Sequence, residues 1–324
     1  DGNKQISFSL QSADSAGPGI VHHYVVKPND YMIDFNIQLN GANTLLTNGA
    51  LNFNWSARAK QLERDLSYEK TNSQVGFNEA GEFDYYGISN RNEQEFEKDL
   101  KWVAVKQQFF NTAFISKNGF ESGMMKWVVP EDSGLVVEAN ASLQYKVDGG
   151  AGTSLVPLQL YYGPNDYKIL KSYNYELENL VNLGQGMFAF VKYINRWIVL
   201  PVFDIIKGFV SSYGIVILLL TILIRLVISP LTYKSYLSGA KMKVLRPEIA
   251  KLKEKYGNDQ QQISMEQMKL FREAGVNPLG GCIPALLQIP IFFALYSFFS
   301  SHVALRGESF LWAKDLSTYD SILD

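Results

Sequence analysis

A β-rich domain followed by membrane helices, with a polar helical hairpin between two of them, is the fold class that the sequence predicts. Three observations predict it. Apolar side chains recur at every second position in several segments before about residue 175, two long apolar runs follow residue 213, and the stretch between those runs is polar and basic. A period of two marks a strand with one apolar face. An apolar run approaching ~20 residues is long enough to cross a bilayer.

Composition narrows the function classes. The 324 residues are 47% hydrophobic and 19% charged, which excludes a disordered or low-complexity chain. With 30 basic and 32 acidic residues the formal charge is -2, so no global basic field points to nucleic acid. Cys282 is the single cysteine, and His22, His23 and His302 are the only histidines, so neither an internal disulfide nor a Cys/His zinc set can form. No nucleotide loop, Ser-His-Asp set or paired-carboxylate pattern stands out; an enzyme is not expected, nor is a cofactor or metal. The chain starts at Asp1 without a signal-peptide pattern and reads as an internal piece of a longer protein.

The elements follow in order. Tyr31-Met-Ile-Asp-Phe-Asn-Ile-Gln-Leu39 places apolar residues at 31, 33, 35, 37 and 39, a strand flanked by the turns Lys27-Pro-Asn-Asp30 and Asn40-Gly41. His23-Tyr-Val-Val26 is the strand before it. Leu51-Asn-Phe-Asn-Trp55, Trp102-Val-Ala-Val105 and Leu143-Gln-Tyr-Lys-Val147 alternate too, and Asp148-Gly149-Gly150 and Tyr162-Gly-Pro-Asn-Asp166 supply further turns. A large antiparallel sandwich over 1–184 fits these strands most simply. The run from Lys60 to Tyr68 reads as a short helix. His22 and His23, adjacent in a strand, point to opposite faces and cannot share a metal.

From about 185 the composition changes. In 185–212, Lys192, Asn195 and Arg196 form one polar stripe, Pro201 interrupts the helix, and Asp204, Lys207 and Ser211 form a second stripe. An amphipathic segment with a tryptophan and long cations beside a membrane span suits the bilayer interface. A core helix of the β domain is the alternative. Residues 213–232 and 281–303 are the two spans, each carrying some polar residues and a proline. Between them, 233–280 cannot lie in lipid. It reads as a hairpin: a helix from Lys234 to Tyr256, the turn Gly257-Asn258-Asp259, and a helix from Gln260 to Ala274 capped by Asp259 and ended by Gly275. Nine basic residues, Lys241, Lys243, Arg246, Lys251, Lys253 and Lys255 among them, face five acidic ones. The positive-inside rule places this hairpin in the cytoplasm, and the β domain with the loop 304–324 on the other side.

Arg225 is the most informative residue. An arginine well inside an apolar span costs at least ~2.5 kcal/mol by insertion scales, so it must meet water, protein or a partner. With Thr221 at zero, Arg225 lies at about 40°, Ser229 at about 80° and Thr232 at about 20° around the helix. Gln288 is the polar group offered by the second span. A polar recess open to the hairpin side accounts for the pattern; the alternatives are snorkelling to the interface and a structural pair with an acid on another span.

Ile224-Arg-Leu-Val-Ile-Ser-Pro-Leu-Thr232, Leu245-Arg-Pro247 and above all Val276-Asn-Pro-Leu-Gly-Gly-Cys-Ile-Pro284 followed by Gln288-Ile-Pro-Ile-Phe292 resemble the YidC family of membrane protein insertases. Trp102-Val-Ala-Val-Lys-Gln-Gln-Phe-Phe110 and Tyr161-Tyr-Gly-Pro-Asn-Asp-Tyr167 resemble, more loosely, the large periplasmic domain of its Gram-negative members. The resemblance implies a periplasmic β-supersandwich, an interfacial helix, and a multi-pass protein of the bacterial inner membrane. It also implies an anchor span before Asp1 and three more spans after Asp324. It implies a hydrophilic groove lined by Arg225, Thr221, Gln288 and Ser229 that receives nascent membrane proteins. The Sec translocon, the ribosome or targeting machinery, and membrane lipids are the further partners implied. A membrane-anchored periplasmic scaffold or carbohydrate-binding protein is the alternative reading.

Overall fold

The computed structural model describes residues 2–12, 17–131, 134–147, 152–275 and 283–318. The chain forms two compact units, Asp1–Val181 with Ser301–Ala304, and Asn182–Ser300 with Leu305–Asp324.

The first unit is built on two antiparallel sheets. Its strands are β1 (Lys4–Gln11), β2 (Gly19–Val26), β3 (Met32–Asn40), β4 (Ala50–Lys60), β5 (Gln74–Glu79) and β6 (Glu82–Gly87), then β7 (Glu93–Phe96), β8 (Leu100–Lys106), β9 (Phe110–Phe120), β10 (Ser122–Val128), β11 (Leu135–Lys146) and β12 (Thr153–Pro164). One sheet has the order β1-β2-β3-β12-β9-β8-β5-β6 and the other β4-β11-β10-β7. The expected strands at 23–26, 31–39, 51–55, 102–105 and 143–147 all lie within or overlap these elements. The core between the sheets holds Trp55, Phe77, Phe96, Phe114, Phe120, Met125, Trp127 and Leu143.

Trp102-Val-Ala-Val105 departs from the simple alternation. All four residues are buried, because β8 is central in its sheet and covered on both faces. Trp102 points away from the core, and its indole N–H donates to the Tyr175 carbonyl at 2.7 Å. That outer cover includes a 3-10 turn at Leu177–Leu180, and it comes so close that a Cβ on Gly76 would sit 2.5 Å from Leu180 Cδ2. The helix expected over 60–68 is displaced. Lys60 ends β4, and the helix occupies Leu66–Thr71, started by Asp65, whose carboxylate accepts the Tyr68 N–H at 2.9 Å. The turn Asp148-Gly149-Gly150 lies outside the described residues.

In the second unit, short helical turns lead through α4 (Val191–Ile194; α1 to α3 being Ala42–Leu45, Leu66–Thr71 and Tyr167–Ser172) into α5 (Leu200–Phe209). At Pro201 the α-helical ladder is interrupted, as expected, without the helix ending. Residues Asn195–Val199 form a π turn ahead of it, and the chain remains helical through Phe209. A proline has no N–H for the ladder, and a widened turn is one way for a helix to absorb that loss.

Next, α6 runs unbroken over Tyr213–Tyr256 with Pro230 and Pro247 inside it, so the span and the first arm of the hairpin are one helix. The second arm, α7 (Gln260–Glu273), is capped by Asp259, which accepts the Gln262 N–H at 3.1 Å, and Gly275 takes the left-handed φ of 59° just past its end. Both caps agree with the sequence reading. α8 covers Ile283–Ser301 with Pro290 inside. Among the described residues one helical stretch, Tyr213–Pro230, is long and apolar enough to cross a membrane, and Gln288–Ser301 is a shorter apolar helix. Val276–Cys282, which carries the most specific part of the resemblance, lies outside the described residues.

Candidate functional site

The site is the polar stripe of α6. Its packed face is set by Val216, Leu220 and Ile228, which are buried. At 100° per residue the stripe of Thr221, Arg225 and Ser229 is centred roughly 130° away from that face. All three of those residues are exposed, and Thr232 is half-buried.

The hydroxyls turn out to be satisfied within their own helix. Thr221 donates to the Ile217 carbonyl at 2.8 Å, and Thr232 to the carbonyls of Ile228 and Ser229 at 3.1 and 3.0 Å. Ser229 donates to the Leu226 carbonyl at 2.8 Å. That carbonyl is the one Pro230 leaves without its i+4 N–H, so the serine repairs the gap made by the proline beside it. Arg225 has no such option, since a guanidinium has five N–H donors and no way to lose its charge. Among the described residues no carboxylate pairs with it, and no hydrogen bond joins it to Gln288, which is half-buried on α8. The polarity of the stripe is therefore concentrated in one cation. Arg225 lies about 18 Å along the axis from Tyr213 and about 8 Å from Pro230, so it sits nearer the hairpin end of the span.

The six hairpin cations Lys241, Lys243, Arg246, Lys251, Lys253 and Lys255 are all exposed. Lys251 pairs with Glu248 at 2.9 Å. Lys251 and Lys255 also line a shallow seam with Glu266, Lys269 and Glu273 of α7, so part of the basic charge is matched inside the hairpin. Lys241, Lys243, Arg246 and Lys253 stand off that seam.

One residue of the polar stripe at 192–196 lies elsewhere than its spacing predicts. Asn195 does not belong to a water-facing stripe but is fully buried, donating to the carbonyls of Leu183 at 2.7 Å and Ala294 at 2.9 Å. It ties the turn at the start of the unit to α8, next to the stack of Phe188 on Phe293. The exposed face of the same segment is instead aromatic and aliphatic, with Tyr193 at 56%, Trp197 at 78% and Phe209 at 87% exposed. Lys207 closes the segment by placing its ammonium 3.5 Å from the ring centre of Tyr213.

Two family models match the chain: the YidC periplasmic domain over residues 1–200 and the 60Kd inner membrane protein over residues 205–323. Among similar proteins, the membrane protein insertase YidC of Parabacteroides distasonis is 36% identical over 99% of this chain and 52% of its own length. That of Amoebophilus asiaticus is 38% identical over 93% of this chain and 51% of its own, and that of Bacteroides fragilis 37% over 98% and 53%. The chain thus spans about half the length of the curated relatives it matches.

Proposed function

Because the chain belongs to the YidC family of membrane protein insertases, we propose that it receives polar segments of incoming membrane proteins at Arg225 and releases their apolar parts into lipid. In this reading the β domain is the periplasmic supersandwich and 185–212 lies in the membrane interface. The spans are 213–232 and 281–303, 233–280 is the cytoplasmic hairpin, and 304–324 returns to the periplasm. The basic excess of the hairpin and the exposed aromatics of Tyr193, Trp197 and Phe209 support that placement. The protein acts in the bacterial inner membrane as a multi-pass insertase and chaperone, alone or beside the Sec translocon, and is not an enzyme.

The observation that carries the reading is the lone guanidinium on an otherwise self-satisfied span. Water entering from the hairpin end, about 8 Å away, keeps Arg225 solvated. A client's carboxylate within 4 Å would gain about 4 kcal/mol of attraction at an effective dielectric of 20. A membrane potential contributes about 2.3 kcal/mol per charge per 100 mV toward moving an acidic segment across. Thr221 and Gln288 border the path with lone pairs and an amide, while Ser229 holds the helix together across Pro230. The unmatched cations Lys241, Lys243, Arg246 and Lys253 offer a surface to the ribosome, to targeting machinery or to anionic lipid, with Lys251 and Lys255 beside them.

The test is site-specific photocrosslinking to a stalled nascent membrane protein from probes at positions 221, 225 and 288, with position 226, exposed and turned about 100° from Arg225, as a lipid-facing control. The three stripe positions are expected to crosslink several-fold more strongly than the control. Equal yields at all four, together with normal insertion by Arg225→Ala, would favour a scaffold whose spans only anchor the β domain.

A further inference from the structure

A second surface, on the β domain, is independent of Arg225. The face of the eight-stranded sheet that makes the core carries Phe114, Leu158, Ile37 and Leu39. By strand register the same face continues through Tyr162, Tyr31, Val26, Ile6, Phe8 and Leu10. These six are 52%, 43%, 42%, 54%, 59% and 72% exposed, so the core-forming face runs on uncovered where the four-stranded sheet stops. Contiguous apolar surface of this kind marks a binding site more often than chance.

The four-stranded sheet stops at an unpaired edge. β4 is its outermost strand, pairing with β11 on one side only. The direction of its free groups follows from the bonds around it. Gln61 N–H goes to Gly134 and Gly49 C=O accepts from Val147, so odd-numbered residues of this strand face β11. Lys60 C=O is instead reached from outside by the Gln107 amide at 2.7 Å. Asn52, Asn54, Ser56 and Arg58 therefore turn their N–H and C=O groups outward, and among the described residues these groups have no backbone partner. Beside this edge lies a cavity of about 960 Å³ with Trp55, Tyr31 and Tyr162 among its walls. Thr112, also in its lining, keeps a buried hydroxyl without a hydrogen-bond partner.

We infer that this trough binds an extended polypeptide segment as an added strand on β4. Its apolar side chains, at every second position, would lie on Tyr162, Tyr31 and Trp55, and its opposite side chains would carry acid. The unpaired edge selects a backbone in β conformation, because only that spacing meets all four outward residues. The apolar floor selects a period of two. Charge complementarity selects the acid: Arg58 and Lys60 point outward from β4, where cross-strand neighbours of the added segment would stand opposite them. Arg58 already reaches Glu138, whereas Lys60 makes no ion pair among the described residues. On the periplasmic placement proposed above, an unfolded segment newly arrived on that side of the membrane offers such a free backbone, whereas a folded domain does not.

The probe is a fluorescein-labelled peptide of about eight residues, long enough to run along Asn52 to Arg58, alternating glutamate with valine and phenylalanine. It is titrated against the full chain in detergent micelles and followed by anisotropy. Saturable binding is expected. Methylating alternate backbone nitrogens should weaken it more than tenfold, and lysine in place of glutamate about tenfold. On the protein, Ser56→Pro removes an outward N–H without touching the β11 pairing, and Tyr162→Asp places a charge on the floor; each should weaken binding at least tenfold with the melting temperature retained. Binding that is unsaturable, or that survives backbone methylation unchanged, overturns the inference, and this arm needs no variant to fold. A Ser56→Pro protein that melts normally and binds as well as the parent overturns it too. Neither result bears on crosslinking at Arg225.

Discussion

Lys106 gives the β domain a pH-dependent stability that can be worked out in advance. The side chain is 3% exposed at the end of β8, its ammonium donating to the Asn72 carbonyl at 2.8 Å. Loss of hydration lowers its pKa from 10.5 to about 8. Below pH 8 the lysine is charged in both the folded and unfolded chains and contributes no slope. Between pH 8 and 10.5 the unfolded chain still holds the proton that the folded chain has released, so stability rises with pH. At about 1.4 kcal/mol per unit the full interval is worth roughly 3 kcal/mol, and pH 8 to 9.5 about 2 kcal/mol. Burial pushes the phenols of Tyr161 and Tyr173 up, which acts in the opposite sense from pH 10 onward, so the measurement belongs below that point. Urea unfolding of the full chain in micelles, followed by the buried tryptophans Trp102 and Trp127, should show the midpoint climbing from pH 8 to 9.5. Lys106→Met should flatten that climb. A parent protein whose midpoint is constant or falls over this range, or a variant that keeps the full climb, refutes the reasoning.

Two further predictions concern the helical unit. Asn195→Leu deletes two buried hydrogen bonds, and should lower the stability of this unit by about 2 kcal/mol; limited proteolysis between Leu183 and Ala294 would register the loss, and unchanged resistance would show that the asparagine is not a tie. Ser229→Ala uncovers the Leu226 carbonyl beside Pro230 and should cost about 1 kcal/mol in thermal stability while leaving crosslinking from position 225 within twofold; a collapse of crosslinking would assign the hydroxyl to the client path instead.

The strands and the caps were legible because they rest on local chemistry. A period of two at 31–39 needs only one buried face, and Asp259 caps because its carboxylate reaches an amide three residues on; Asp65 and Asp166 do the same, at helix starts that no long apolar pattern announces. Trp102-Val-Ala-Val105 was legible as a strand but not as a doubly buried one, since what covers its outer face begins 73 residues away in sequence. The helical position of Asn195 matches those of Lys192 and Arg196, and spacing alone predicts that it faces water. Only the tertiary contact with Ala294 shows otherwise. The continuity of α6 was hidden by the change from apolar to basic composition near 233, which the helix crosses without a break. At the site, Arg225 stands out by charge alone. That its hydroxyl neighbours spend their protons on the helix depends on rotamers, which spacing does not encode.

The most direct test asks whether water reaches Arg225. Arg225→Cys in a Cys282→Ser background, with the full chain in lipid vesicles, is treated with a hydrophilic maleimide from the side of the hairpin. Lys253→Cys serves as the exposed standard and Leu226→Cys, off the polar stripe, as the lipid-facing one. If a few kcal/mol of hydration hold that site open, position 225 labels within about tenfold of the exposed standard, and this is the result expected. Labelling as slow as at position 226 would contradict it.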